Sequence, residues 1–223
     1  MSRWLLLPAL ALCAAGCAPR KAPKSYDKLL AANPRSILIV PVVNKSVDVD
    51  APAYFLSTIP VPVAERGYYV FPVNMVKRVL EDDGLSDASL VHAADPTRLC
   101  GLFGADSVLY VTIERWDAKY VVLSTTVTVE FSYVWKDGKT GEILWGAHQG
   151  MTYTPQSGGG GLGGLIAAVI NAAMTKAAPS YMPLARQANG AAMAYPGPGF
   201  PAGPYRQEYR RDLAPKPGAP PEK

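Results

Sequence analysis

Three cysteines and two histidines are the most reactive side chains of this 223-residue chain. Cys17 stands out among them, because it follows the small residues Ala14-Ala15-Gly16 and an apolar run from Trp4 to Ala15. Arg3 supplies a single positive charge ahead of that run. This order of charge, apolar core and small residues predicts a secretory signal peptide over residues 1–16. The Cys17 thiol would then lie at the cleavage point, open to modification.

The segment around Cys17 resembles the lipobox of bacterial lipoproteins, in which the cysteine is diacylated on sulfur, becomes the first residue and is acylated on its amine. Ala14 departs from the pattern, which usually has Leu there. Ala18, rather than Asp, follows the cysteine, and the sorting rule known for many lipoproteins then implies the outer membrane. The alternative is an ordinary secretory peptide with an incidental cysteine, since the apolar run is too short to span a bilayer. Cys13 is a poorer acylation site, because bulky Leu12 precedes it.

The most suggestive stretch for cofactor chemistry is glycine-rich, since Gly158, Gly160 and Gly163 satisfy G-x-G-x-x-G between a predicted strand and a predicted helix. No acidic residue lies between Ile143 and Gln207 to bind a ribose, and no Lys follows to complete a P-loop. We therefore expect no cofactor, and a hinge or a close-packing site instead.

The helix predicted after these glycines has an apolar face that either docks on its own sheet, faces a partner or lines a ligand pocket. Its apolar run is too short to cross a membrane. The residues of this candidate partner or ligand surface are Gly161, Gly164, Leu165, Ile166, Val169 and Ile170.

The remaining reactive residues form no recognisable catalytic or metal-binding motif. His92 and His148 lie far apart in the sequence, without a second ligand type at metal spacing. Cys100 lies on an apolar predicted helix, as a buried inert thiol would. The acidic residues that bracket the third predicted strand have no base paired with them in the sequence; they are Asp106, Glu114 and Asp117. We predict a protein that is not an enzyme and holds no metal.

The charge balance and the cysteine count limit which classes of protein the chain can belong to. The formal net charge of +4 falls to +3 when residues 1–16, which carry Arg3 and no acidic residue, are removed. No cluster of Lys and Arg with interleaved aromatic residues indicates nucleic-acid binding. After signal cleavage and acylation Cys100 would be the single free thiol, so the fold must stand without a disulfide.

The order of predicted elements indicates an α/β domain with a mixed sheet of about five strands and helices packed on it. The first half reads β-α-β-α-β and favours parallel pairing, whereas the second half reads as an antiparallel meander. Apolar or alternating runs predict strands at 36–43, 68–73, 107–116, 119–135 and 142–153, with a turn at 137–141. Helical spacing predicts helices at 51–66 (interrupted by Pro60 and Pro62), 74–83, 95–104 and 165 to about 186.

These elements divide the chain into four parts. Residues 1–16 are the predicted signal peptide, and residues 17–34 are the acylated cysteine with a flexible tether that carries several basic residues. Residues 35–189 form the single predicted domain. Residues 190–223 are rich in Pro and Gly and show no hydrophobic period, which predicts a disordered tail.

Four motifs together resemble a family of bacterial lipoproteins of unknown function, typified by a neisserial surface-antigen candidate. They are Ile-Leu-Ile-Val-Pro-Val-Val-Asn (37–44), Glu-Arg-Gly-Tyr-Tyr-Val-Phe-Pro-Val (65–73), Gly-Ala-Asp-Ser-Val-Leu-Tyr-Val-Thr-Ile (104–113) and Asp-Gly-Lys-Thr-Gly-Glu-Ile-Leu-Trp (137–145). The resemblance covers about residues 17–185 and leaves the region after residue 190 outside.

The resemblance implies a domain similar to the N-terminal domain of TolB and a role in an envelope assembly. Members are often encoded beside a lipoprotein similar to the curli secretion channel CsgG, and they offer no established catalytic residues to transfer. We therefore expect a lipid-anchored protein at the outer membrane, facing the periplasm, which associates with other envelope lipoproteins or with itself as an assembly module. The alternative is a ligand-binding auxiliary component of a transporter.

Overall fold

A computed structural model describes residues 25–121, 124–153 and 181–213, without the side chains of residues 119–125. Six strands lie in one mixed sheet. Their bounds are Ser36–Ile39 (β1), Val43–Asn44 (β2), Tyr69–Val70 (β3), Ser107–Val121 (β4), Ser124–Asp137 (β5) and Ile143–Tyr153 (β6). The sheet order is β3-β1-β4-β5-β6, with β2 also paired to β4.

The sheet has a parallel half and an antiparallel half, as the sequence predicts. β1 runs parallel to both β3 and β4, and β2 is likewise parallel to β4. β4, β5 and β6 then form an antiparallel meander. The predicted turn at 137–141 joins β5 to β6, where Asp137 Oδ2 accepts hydrogen bonds from the backbone N–H of Thr140 at 2.8 Å and of Lys139 at 3.2 Å. The α/β fold class is therefore confirmed.

Seven helices are present in the described residues, three more than the helical spacing predicts for that part of the chain. Pro60 begins a helix rather than interrupting one, since proline lacks the N–H that a first helical turn leaves unpaired. The bounds are Asp27–Ala32 (α1), Ala51–Leu56 (α2), Pro60–Glu65 (α3), Val73–Asp82 (α4), Ala88–Ala93 (α5), Pro96–Phe103 (α6) and Met182–Met193 (α7). No helix in the described ranges is long and apolar enough to cross a membrane.

Two apolar cores lie on opposite faces of the sheet. The larger joins α1, α2, α3 and α7 to one face along its whole width, with Phe55 packed on Phe131 at 4.6 Å between ring centroids. The smaller joins α4, α5 and α6 to the other face, and it reaches the sheet mainly at β1 and the first residues of β4. On this second face the antiparallel half is therefore left open.

The sequence prediction of a flexible tether is wrong for residues 25–34. Residues 27–32 form α1, and Leu29 on this helix is buried in the larger core. Asn33 ends the helix in the left-handed conformation, with φ of 46°. A six-residue helix with one buried leucine is too short to give a hydrophobic period, which is why the sequence reads as linker.

The predicted disordered tail is wrong for residues 190–213, because α7 continues to Met193 and the following segment packs on the larger core. Phe200 is 1% exposed and lies 4.9 Å from the Trp135 ring and 5.0 Å from the Trp145 ring. The Trp145 indole N–H donates to the carbonyls of Pro198 and Gly199 at 3.0 and 3.1 Å. Proline and glycine thus shape a tight return of the chain here. The folded unit extends beyond the predicted 35–189 in both directions.

Candidate functional site

The glycines and apolar residues of the predicted partner or ligand surface, from Gly161 to Ile170, lie outside the described residues, as does the G-x-G-x-x-G pattern. Cys17 is outside them too. The start of α1 nevertheless limits how far the domain can stand from Cys17. The seven residues 18–24 span at most about 25 Å when fully extended. An anchor at Cys17 would therefore hold the domain close to its membrane.

The position of α1 also orients the molecule. Lys28 on α1 pairs with Glu142, immediately before β6, at 3.3 Å, and Asp106, immediately before β4, accepts from the backbone N–H of Arg35 and Ser36 at 3.0 Å each. We call this end of the sheet the anchor end. The 15-residue strand β4 then runs away from it for about 45 Å, toward the point where β4 meets β5.

The cysteine and histidine of the smaller core are chemically quiet. Cys100 is buried, and burial raises the pKa of its thiol to about 12, so the thiolate that reacts is disfavoured. Burial likewise lowers the pKa of His92. The ring of His92 is hydrogen-bonded to the Pro41 carbonyl at 3.0 Å and packs edge-on against Tyr110. Cys100 and His92 serve packing, as expected from the sequence for Cys100.

Sequence reasoning missed a row of polar side chains across the open face of the antiparallel half. His148 Nε2 lies 2.6 Å from Glu130 Oε1, and His148 Nδ1 lies 3.1 Å from Ser132 Oγ. Ser132 Oγ donates to Glu114 Oε1 at 3.0 Å, and Lys45 Nζ reaches Glu114 Oε2 at 2.9 Å. We call these five residues the polar ladder. Glu114, unpaired in the sequence analysis, is thereby linked to a histidine.

Hydrogen bonds and an ion pair connect the residues of the polar ladder. Ser132 has one hydroxyl proton and donates it to Glu114. The Glu130 carboxylate can only accept, so His148 Nε2 is the donor of the bond between them. The hydrogen bond from the Lys45 ammonium is the main cause of the lowered pKa of Glu114.

The polar ladder resembles a Ser-His-Glu triad in composition but not in chemistry. A nucleophilic serine needs a neutral histidine that accepts its proton, whereas Ser132 gives its proton to Glu114. Ser132 also lies within β5, where it pairs with both Thr112 and His148 in the sheet. In the described residues no group of three or more His, Cys, Asp or Glu side chains is arranged to hold a metal ion.

Beside the polar ladder, a loop after β2 displays two valines to solvent. Val47 is 94% exposed and Val49 is 87% exposed. The loop is fixed by its own polar groups, since Asn44 Nδ2 donates to the Asp48 carbonyl at 2.7 Å and Asn44 Oδ1 accepts from Ser46 Oγ at 2.7 Å. We call residues 45–50 the valine loop. A loop that is ordered by hydrogen bonds and offers apolar side chains to water is a candidate protein-binding surface.

Comparison with known proteins identifies a family for this chain. The family model "Putative lipoprotein GNA1162-like" matches residues 24–200, so the match extends past the 185 that the sequence resemblance reached. A curated relative, the putative lipoprotein NMB1124/NMB1162 of Neisseria meningitidis serogroup B, is 34% identical over 165 residues, which cover 73% of this chain and 77% of the relative.

One solved structure gives the same result for the fold. The crystal structure of lipoprotein GNA1162 from Neisseria meningitidis matches with a TM-score of 0.54 and 32% identity, over 64% of this chain and 100% of that one. A PelC dodecamer from Paraburkholderia phytofirmans matches with a TM-score of 0.46 and 14% identity, over 71% of this chain and 85% of that one. The chain therefore belongs to the GNA1162-like family of putative lipoproteins.

Proposed function

We propose that this protein is an outer-membrane lipoprotein, acylated at Cys17, whose domain faces the periplasm and acts as a non-enzymatic assembly module of an envelope secretion or transport complex. Family membership supports the lipoprotein part of this proposal. The signal-like segment before Cys17 and the Ala18 that follows support the anchor and its outer-membrane address. Three acyl chains exceed what stable anchoring requires, so no second membrane segment is needed.

The observation that carries the assembly role is the valine loop. Two apolar side chains exposed to this degree gain nothing from folding, and the hydrogen bonds of Asn44 hold them in place before any partner arrives. A preordered loop loses little conformational freedom on binding, which favours affinity. The partner we propose is another envelope lipoprotein, of the CsgG-like kind that the resemblance implies, with a second copy of this chain as the alternative occupant.

The described residues also support a role without catalysis. The Cys100 thiol is buried, and the Ser132 hydroxyl is committed to Glu114. The ligand-binding alternative required a pocket under the glycine-rich segment, which lies outside the described residues. No observation on the described residues favours that alternative over assembly.

The test compares two double variants in envelopes solubilised with a mild detergent. Val47→Asp with Val49→Asp places charges on the valine loop, while Met75→Asp with Leu102→Asp changes two other exposed apolar residues, on α4 and α6. Both double variants should have the melting temperature of the wild type, because all four side chains are exposed. We expect the wild type and the α4/α6 variant to elute in a complex larger than a monomer, and the valine-loop variant to elute as a monomer.

The composition of the complex separates the two occupants. A complex whose mass is a multiple of this chain alone indicates self-association, whereas a second lipoprotein in fixed ratio identifies the proposed partner. A wild type recovered as a monomer under mild conditions would contradict the assembly role, as would a valine-loop variant that still elutes in the complex.

A further inference from the structure

Residues 195–212, which we call the C-terminal segment, return to the anchor end and lie against α1 and the start of β1. The Tyr26 hydroxyl donates to the Gly199 carbonyl at 2.7 Å, and the Tyr209 hydroxyl is hydrogen-bonded to Asn33 Oδ1. The Arg35 guanidinium lies 5.6 Å from the centre of the Tyr205 ring. Residues 195–212 and residues 26–35 thus form one continuous surface at the anchor end.

Basic side chains outnumber acidic ones on this surface, by five to three within residues 26–35 and 195–212. Five exposed basic residues lie on it, and we call them the basic patch: Lys28, Arg35, Arg206, Arg210 and Arg211. Lys28 is paired with Glu142, and Arg206 with Glu208. Within the described part of the chain Arg35, Arg210 and Arg211 form no ion pair with a carboxylate. Their charges are therefore available to an external anion.

Two aromatic residues accompany these charges. Tyr205 is 60% exposed, and Arg210 packs on the Tyr209 ring at 5.3 Å while its Nε donates to the Tyr209 hydroxyl at 3.1 Å. Tyrosine rings are amphipathic and are enriched where protein meets the headgroup layer of a membrane. Arginine beside exposed tyrosine suits a surface that is anionic and partly apolar, as a lipid headgroup layer is.

The chain between Cys17 and α1 determines what this surface meets. Residues 18–24 span at most about 25 Å, and they include three further basic residues, Arg20, Lys21 and Lys24. A lipid on Cys17 would keep the membrane within this distance in every copy of the protein, at a high effective concentration. No protein partner is guaranteed such proximity.

We infer that the basic patch binds the anionic headgroups of the membrane in which Cys17 is anchored. The C-terminal segment then orients the domain with its anchor end toward the membrane and the valine loop away from it. This inference rests on the proposed anchoring at Cys17. Each basic residue close to an anionic surface strengthens membrane association by about fivefold, and the effect is screened by salt. Removing the three unpaired arginines should therefore weaken binding by up to about 100-fold.

The test uses the chain from Ala18 to Lys223, which lacks the acylated cysteine and retains every described residue. Its partition is measured by sedimentation with vesicles of phosphatidylcholine alone and of phosphatidylcholine with about one-third phosphatidylglycerol. The patch variant carries Arg35→Gln, Arg210→Gln and Arg211→Gln. The control carries Lys77→Gln, Arg78→Gln and Arg115→Gln, which remove the same charge from other surfaces. A linker variant carries Arg20→Gln, Lys21→Gln and Lys24→Gln.

We expect salt-sensitive binding to the anionic vesicles that the patch variant loses and the control retains. Binding that fails to distinguish the two vesicle types overturns the inference, as does a patch variant that binds like the wild type while the linker variant loses all binding. An unacylated Cys17 in cells would refute the proposed anchor without changing this vesicle measurement. The two failures are therefore distinguishable.

Discussion

Strand β5 has two faces that are built in opposite ways. On one face Phe131, Tyr133 and Trp135 are buried in the larger core, and Trp135 contacts Phe200 from the C-terminal segment. On the other face Glu130 and Ser132 form part of the polar ladder and remain open to solvent. Buried aromatic packing contributes several kcal/mol per side chain, whereas exposed ion pairs contribute well under one. The core face therefore sets the stability of the fold, while residues on the open face can be changed without unfolding the protein.

The largest effect should come from removing Phe200. Phe200→Ala empties a site enclosed by Tyr68, Trp135 and Trp145, and should lower the free energy of unfolding by about 3–5 kcal/mol. Urea denaturation measures the change. Tyr205→Ala, in the same segment but exposed, should cost less than about 1 kcal/mol. A loss below 1 kcal/mol for Phe200→Ala would mean that the C-terminal segment is not part of the core.

An intermediate effect is expected at Asn189, which is 0% exposed and links α7 to the sheet. Its Oδ1 accepts from the Tyr133 hydroxyl at 2.6 Å, and its Nδ2 donates to Thr58 Oγ1 at 2.9 Å. Asn189→Leu should cost about 1–3 kcal/mol, because it leaves the buried Tyr133 hydroxyl without a partner.

A double-mutant cycle with Tyr133→Phe checks the cause of the Asn189 effect. The variant with both changes has no orphaned hydroxyl, so its loss of stability should be smaller than the sum of the two single losses. Strict additivity would show that the hydrogen bond contributes nothing and that Asn189 matters through its shape.

The smallest effect is expected on the polar ladder. His148→Ala removes contacts to Glu130 and Ser132 on an exposed face, and should change the free energy of unfolding by less than about 1 kcal/mol. The same urea titration applies, with Thr152→Ala on the same strand as the control. A loss comparable to that of Phe200→Ala would remove the distinction between the two faces.

Acidification should act on the polar ladder in a defined direction. The pKa of Glu114 is lowered in the folded protein by Lys45, so its contribution to stability is present above the ordinary value of 4.5 and is lost as the pH falls through the lowered value. Between pH 6 and pH 3 the melting temperature of Glu114→Gln should therefore fall by less than that of the wild type. Equal losses would mean that this pairing does not contribute.

The sequence predicts the sheet better than its surface. Continuous or alternating apolar runs identify β1, β4, β5 and β6, because burial demands those patterns. The pairing of Ser132 with His148 could not be predicted by counting outward from the turn at 137–141. An irregularity between Trp135 and Lys136 shifts the register by one residue. Without it His148 would lie opposite Phe131, on the other face of the strand.

Composition also misled at the two ends of the domain. Residues 195–201 contain so many prolines and glycines that they read as disorder, yet a single aromatic residue, Phe200, fixes them in the core. Helix α1 contributes one buried leucine, Leu29, within only six residues. Phe200 packs on Trp135 and Trp145, which lie 65 and 55 positions before it, so no local pattern announces these contacts. The exposure of the two valines in the valine loop was not predicted either, because it follows from the position of β2 beside β4.

The intact mass of the protein extracted from membranes shows most directly whether a lipid on Cys17 holds the domain at a membrane. We predict the mass of residues 17–223 with three acyl chains attached, the same mass in a Cys13→Ser variant, and no acylated species in a Cys17→Ser variant. A wild-type protein that carries no acyl chain, or one that is acylated equally after Cys17→Ser, would contradict the account.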